Sequence, residues 1–179
     1  MKKIIRYIIP VFLLIVLLFL VVRSQDSSKD TPESNNLTTE NQLILPESWF
    51  YSEDNQGATL KIEKLSDNDV RPGIILLESD LPPEITPKTY VDNLIKGARS
   101  TLPSLKIISD KESVENYYLR SFNSSYTING QKINIIQRIY VIDSQVYTLT
   151  ASYLPVEASI ESDVEQIFNS IFQSEIISN

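Results

Sequence analysis

Three consecutive runs in the C-terminal half constrain the fold of this chain more than any other feature. Residues 116–128, 131–142 and 145–154 are rich in β-branched and aromatic side chains, and Asn129-Gly130 and Asp143-Ser144 separate them. Asn-Gly between two alternating runs is a strong signal for a type I′ hairpin turn. The sequence therefore predicts a three-stranded antiparallel meander over residues 116–154.

The middle run of this meander is apolar on both faces. Large apolar residues occupy one set of alternating positions, and a second apolar set lies between them: Ile133, Ile135, Ile139 and Val141 against Ile136, Tyr140 and Ile142. A strand with two apolar faces must be covered on both sides. Further strand patterns occur at residues 43–45, 49–52, 58–65, 74–77 and 105–109.

Two stretches have the periodicity of helices instead. Thr86-Pro87 is a helix start with Thr at the N-cap, and apolar residues then recur every four positions to Leu102. A second apolar stripe begins at Ile160 and extends to Ile176. The sequence therefore predicts an α+β fold, an antiparallel β-sheet flanked by two main helices, preceded by one N-terminal transmembrane helix.

The N-terminus has the pattern of a membrane anchor. Lys2, Lys3 and Arg6 precede residues 7–22, which carry no charge. Residues 4–22 would span roughly 29 Å as a helix, close to the hydrocarbon core of about 30 Å. Because the basic residues come first, the positive-inside rule places the N-terminus in the cytoplasm and the rest outside.

This topology predicts three parts: a transmembrane signal-anchor helix over 1–23, a disordered polar linker over 24–41, and an extracytoplasmic domain over 42–179. The linker has one large apolar residue, Leu37, and too little apolar surface to fold. A signal peptide cleaved near Ser24 is the alternative, which would release the same domain as a secreted protein. We expect a single-pass membrane protein.

Composition excludes several kinds of chemistry. The chain has no His and no Cys, which removes Ser-His-Asp and Cys-His catalysis, structural zinc and disulfides. Residues 42–179 contain eleven basic and nineteen acidic side chains. Such an acidic domain repels phosphate backbones, so we expect no nucleic-acid partner.

The domain resembles the PsbP-like superfamily, in particular its PsbP C-terminal and DcrB-like members. The resemblance lies in Leu45-Pro46-Glu47-Ser48-Trp49 at the domain start and in residues 166–172, Gln-Ile-Phe-Asn-Ser-Ile-Phe, at its end. It covers about residues 42–176. It implies an α/β/α sandwich in the bacterial envelope and an accessory or binding role without enzymatic activity or cofactor. The metal sites of photosystem relatives use His, so no ligands carry over.

Candidate site residues follow from these patterns. Tyrosines crowd the meander, and Tyr117, Tyr126, Tyr140 and Tyr147 form a possible partner-binding face. Tyr is also a preferred strand residue, so ordinary sheet packing is the alternative. We assign no catalytic, cofactor-binding or metal-ligating residue. The sequence thus predicts an accessory module that contacts a protein partner at the membrane. A carboxylate-based hydrolase or a metal-dependent small-ligand binder is the alternative from another class.

Overall fold

One antiparallel sheet runs through the computed structural model, which describes residues 43–53, 57–67, 70–155 and 159–174. Its strands and helices, in chain order, are β1 (Trp49–Tyr51), β2 (Leu60–Lys64), β3 (Gly73–Asp80), α1 (Pro87–Thr101), β4 (Lys106–Val114), β5 (Tyr118–Ile128), β6 (Gln131–Ile142), β7 (Gln145–Tyr153) and α2 (Ile160–Gln173). The seven strands lie in the order β1-β2-β3-β7-β6-β5-β4. Two meanders, β1–β3 and β4–β7, therefore join where β3 pairs with β7.

The two predicted hairpins of the meander are confirmed. Asn129 and Gly130 have φ of 49° and 80°, and Asp143 and Ser144 have φ of 47° and 71°. Positive φ at both central residues is the signature of a type I′ turn, whose twist matches that of the flanking strands. Each turn fixes the register of the strands that it joins, with Ile128 opposite Gln131 and Ile142 opposite Gln145.

The two helices cover opposite faces of the sheet. Ile136 and Tyr140 of β6 pack in one core with the apolar stripe of α2, whereas Ile139 and Val141 pack in another with Val91 and Ile95 of α1. Alternate residues of a strand point to opposite faces, so these two cores lie on the two sides of the sheet. The predicted α+β class, with an antiparallel sheet and two helices, is confirmed.

Helix α1 begins as its sequence predicts. Thr86 is the N-cap, and its Oγ1 accepts a hydrogen bond from the Thr89 N–H at 3.3 Å, with Pro87 in the first turn. The helix stops at Thr101, ahead of Leu102-Pro103, because the residue before Pro is disfavoured in the helical region.

Two strand predictions differ most from the structure. Residues 43–45 form no strand, and instead Leu43 and Leu45 pack against the α2-side core. Strand β4 continues to Val114, five residues beyond the predicted end at Ser109. Its second half, Asp110–Ser113, is polar and exposed, and an edge strand without a buried face has no apolar alternation to reveal it.

The predicted anchor and linker lie outside the described residues. Among the helices that the structure does describe, neither has the length and apolar character needed to cross a bilayer.

Candidate interaction surface

A row of side chains crosses the α2 face of the sheet near the β6–β7 hairpin. Tyr147 of β7 lies opposite both Glu78 of β3 and Tyr140 of β6, and Tyr140 lies opposite Leu119 of β5. The next row toward the hairpin contains Asp80, Gln145 and Ile142, with Asp80 opposite Gln145 and Gln145 opposite Ile142. Directly opposed residues share a face, so both rows point to the α2 side.

Three aromatic rings meet where these rows reach the C-terminal end of α2. The ring centroids of Tyr140 and Phe172 are 4.6 Å apart and stacked, and those of Tyr117 and Phe172 are 5.1 Å apart and tilted. Tyr117 and Tyr140 complete the cluster at 5.8 Å. These separations are those of favourable aromatic pairs. We call this cluster, with Leu119 and Ile142 beside it, the aromatic patch.

The aromatic patch is partly open to solvent. Tyr140 forms its floor and is 3% exposed, whereas Tyr117, Leu119, Ile142 and Phe172 are only half-buried against the core. Partly exposed rings next to aliphatic side chains are a frequent composition of protein interfaces. The solvent-accessible part of the patch is therefore formed by the four side chains around Tyr140.

A polar contact fixes α2 next to the patch. Arg138 of β6 donates to Asn169 Oδ1 at 3.1 Å and also to the Glu165 carboxylate. The same guanidinium lies over the Phe168 ring, 5.7 Å from its centroid. Because Phe172 follows Phe168 by one helical turn, holding Asn169 and Glu165 in place also sets the position of Phe172.

The hydroxyl groups of Tyr140 and Tyr147 stay protonated at neutral pH. Burial raises the pKa of Tyr140, and the neighbouring Arg138 only partly opposes that rise. Burial also raises the pKa of Tyr147, and the carboxylates of Glu78 and Asp143 add to it. Neither ring therefore brings negative charge to the patch.

Three of those carboxylates border the patch on its β3 and hairpin side. Glu78, Asp80 and Asp143 are exposed, and we call them the acidic rim. Asp80 accepts a hydrogen bond from the Gln145 amide at 2.6 Å. Within the described part of the chain, none of the three forms an ion pair. The nearest cation, Arg138, is already paired with Glu165.

The structure brings three of the four predicted tyrosines together. Tyr117, Tyr140 and Tyr147 lie on the α2 face, but Tyr126 lies on the α1 face, in a core with Ile133 and Ile135. Tyr126, Tyr140 and Tyr147 are all buried, which leaves Tyr117 as the most accessible member. Their role in partner binding stays a prediction.

Sequence reasoning missed Phe172 and the acidic rim as members of this surface. Phe172 was visible as part of the α2 stripe, where its spacing from Phe168 predicted only core packing. Glu78 carried no signal, because its place beside Tyr147 depends on the pairing of β3 with β7, whose residues are far apart in sequence.

No metal site stands out in the described residues. They contain no group of three or more His, Cys, Asp or Glu side chains arranged to hold a metal ion. Two acidic residues of the loops that flank β2, Glu53 and Asp67, are exposed. Their sequence neighbours Asp54, Asn68 and Asp69 lie outside the described residues.

Known proteins are similar to this chain in fold. No protein-family profile and no curated protein matches it. Among solved structures, it is similar to LpqN of Mycobacterium tuberculosis, which is involved in cell envelope biogenesis, with a TM-score of 0.55 and 20% identity over 74% of this chain and 80% of LpqN. It is also similar to PA94 of Pseudomonas aeruginosa, a protein of unknown function, with a TM-score of 0.50 and 10% identity over 75% and 84% of the two chains. At these identities the likeness shows a shared fold alone.

Proposed function

We propose that this chain is a membrane-anchored, extracytoplasmic accessory module of the bacterial envelope that acts by binding a protein partner and catalyses no reaction. The observation that carries the proposal is the aromatic patch. Tyr117 and Phe172 are half-buried and pack against the core of their own domain, next to the C-terminal end of α2. Rings held in place in this way bind a partner at low entropic cost, because little side-chain freedom is lost on binding.

Two further observations support an envelope location. The apolar N-terminal residues 4–22 with their basic flank have the pattern of an anchor that leaves the domain outside. The fold is similar to that of LpqN, a protein involved in cell envelope biogenesis. The PsbP-like resemblance of residues 42–176 supports the same class of accessory protein. The domain would stay close to the membrane surface and meet partners there.

Photo-crosslinking in intact cells tests the proposal. A photoreactive phenylalanine analogue replaces Tyr117 in the aromatic patch, and in a matched variant it replaces Tyr90. Tyr90 is also a half-buried tyrosine but belongs to α1 on the other face of the sheet. We expect one protein adduct from position 117 and none from position 90. Equal labelling at both positions, or no adduct at 117, would refute partner binding at the patch.

The anchor has a separate test. Carbonate extraction of membranes should leave the full chain in the pellet, and protease added to spheroplasts should digest the domain. Release into the supernatant would favour the secreted form cleaved near Ser24. Protection from external protease would place the domain inside the cell and overturn the proposed location.

A further inference from the structure

The charges around the aromatic patch narrow the chemistry of the partner. We propose that the patch binds a cationic protein segment, in which a large apolar side chain enters between Tyr117 and Ile142 while neighbouring Lys or Arg residues meet the acidic rim. This inference rests on the proposed function and goes beyond it by naming the chemical class of the partner.

The first argument is the uncompensated charge of the acidic rim. Glu78 lies directly opposite Tyr147, and Asp143 lies in the turn that follows Ile142, so both carboxylates border the apolar surface. The only basic residue on the adjoining part of β6 is Arg138, which is held by Glu165. Lys111 lies on the far, β4 side of this face, opposite Ser121. An approaching cation therefore meets a negative field on the β3 side.

The second argument is the end of helix α2. The C-terminal end of a helix carries a partial negative charge from its last carbonyl groups, of which Ser174 hydrogen-bonds those of Ser170 and Ile171 in α2. Helix α2 has no basic residue in its last turn, and Phe172 lies in that turn. The aromatic patch is thus bordered by negative charge from two independent sources, the acidic rim and the helix end. A cationic segment would be attracted by the acidic rim and by the helix end, and an acidic segment would be repelled by both.

The third argument is the form of the apolar contact. The floor is Tyr140, and the half-buried side chains of Tyr117, Leu119, Ile142 and Phe172 surround it. Four half-buried side chains around one buried ring offer contacts for an anchoring side chain and do not make up a large apolar interface. A short segment with one anchor and flanking charges matches this composition, and its charges would mainly accelerate association.

The experiment uses the full-length chain and a phage-displayed library of random peptides. We expect the enriched peptides to carry Lys or Arg next to an aromatic or branched apolar residue. One enriched peptide is then synthesised, and its affinity is measured by fluorescence anisotropy at low and at high salt. The test variant is Glu78→Gln with Asp143→Asn, and the matched control is Glu47→Gln with Asp67→Asn.

Like the test variant, the control replaces one Glu and one Asp by their amides, but at exposed positions near the opposite end of the sheet, beside β1 and β2. We expect the test variant to weaken binding about tenfold at low salt, with a smaller effect at high salt, and the control to change it less than about twofold. Asp143→Asn keeps a residue that favours the turn, so the hairpin is retained.

The two proposals fail in different ways. If the enriched peptides lose affinity in Tyr117→Ser but not in the test variant, or if they lose affinity in Tyr117→Ser and lack Lys and Arg, the cationic partner is wrong and the binding patch stands. If Tyr117→Ser has no effect on any enriched peptide, or no peptide is enriched, the patch is not a binding site and both proposals fail. Thermal unfolding of each variant verifies that it is folded.

Discussion

Trp49 donates its indole N–H to the Asp163 carboxylate at 2.9 Å, and Lys64 donates to the same oxygen at 2.8 Å. The Lys64 ammonium also lies 5.7 Å from the centroid of the Trp49 ring. Trp49 and Lys64 are directly opposed on β1 and β2, and Asp163 belongs to the first turn of α2. One carboxylate therefore joins the start of the domain to its last helix.

Removing this carboxylate should destabilise the fold. In Asp163→Ala, the buried Trp49 N–H loses its acceptor and Lys64 loses its ion pair. We expect a loss of about 1–3 kcal/mol in the free energy of unfolding, because an unsatisfied buried donor retains its desolvation cost. Chemical denaturation measures it. Ser162→Ala, exposed in the same helical turn, is the control, and an equal loss there would contradict the assignment.

Asp163 should also make stability depend on pH in acid. Burial tends to raise its pKa, but the hydrogen bonds from Lys64 and Trp49 outweigh burial, so the pKa is lowered in the folded state. A lowered folded pKa gives stability that is present above the unfolded value of about 3.9 and is lost as the pH falls through the folded pKa. We expect a shallower acid decline in Asp163→Asn than in the wild type, measured by denaturation between neutral pH and about pH 3. Identical pH profiles would rule this out.

Arg120 joins the edge of the sheet to α1. It donates to Asp110 at 2.7 Å and to Glu112 at 2.6 Å on β4, and lies 3.9 Å from Asp92 of α1. We expect Arg120→Gln to cost about 1–2 kcal/mol, since charge-assisted hydrogen bonds are lost, Asp110 loses its cation and Glu112 keeps only its ion pair with Lys88. Melting temperature and denaturation report the change.

Lys88→Gln is the matched comparison, because Lys88 also donates to Glu112 but its side chain is 57% exposed. Exposed ion pairs contribute little, so its loss of stability should be clearly smaller than that of Arg120→Gln. A larger loss of stability in Lys88→Gln than in Arg120→Gln would contradict the greater contribution assigned to the Arg120 ion pairs.

Tyr126 carries a buried hydroxyl that has no hydrogen-bond partner among the described residues. Burial raises its pKa to about 12. We expect Tyr126→Phe to leave stability at neutral pH unchanged or to raise it by up to about 1 kcal/mol, because the variant buries no unsatisfied polar group. A loss of more than about 1 kcal/mol would show that the hydroxyl is hydrogen-bonded.

Tyr126 should also make the stability of the fold depend on pH in alkaline solution. A folded pKa above the unfolded value of about 10 gives stability that is complete below that value and falls as the pH rises toward the folded pKa. Part of the wild type's decline between about pH 10 and 12 should therefore be absent in Tyr126→Phe. Ultraviolet titration of tyrosinate absorbance, with Tyr90→Phe as control, checks the assignment. An unchanged titration curve in Tyr126→Phe would contradict it.

Local signals predicted much of this fold. Asn129-Gly130, Asp143-Ser144 and Thr86-Pro87 occur where the structure has two hairpins and a helix start. The missed part of β4 is the informative exception. Its residues Asp110–Ser113 have no buried face, so their strand conformation comes from pairing with β5 and leaves no hydrophobic pattern.

The candidate surface was only partly predictable for a related reason. Tyr140 and Tyr147 face each other across one hairpin, so their proximity follows from the turn between them. Tyr126 lies on the other face of the sheet, and its face depends on the register set by the other hairpin. A shift of one residue would exchange the faces of every side chain in a strand.

The amino-acid sequence by itself determined most of the strands, both helices, the two hairpin turns and the need to cover both faces of β6, because turn chemistry and side-chain periodicity act over a few residues. Only the tertiary structure decided that β3 pairs with β7, that Glu78 borders Tyr147, and that Asp163 reaches Trp49. Those contacts join residues far apart in the chain, and which distant segments pair is settled by the packing of the whole sheet with both helices.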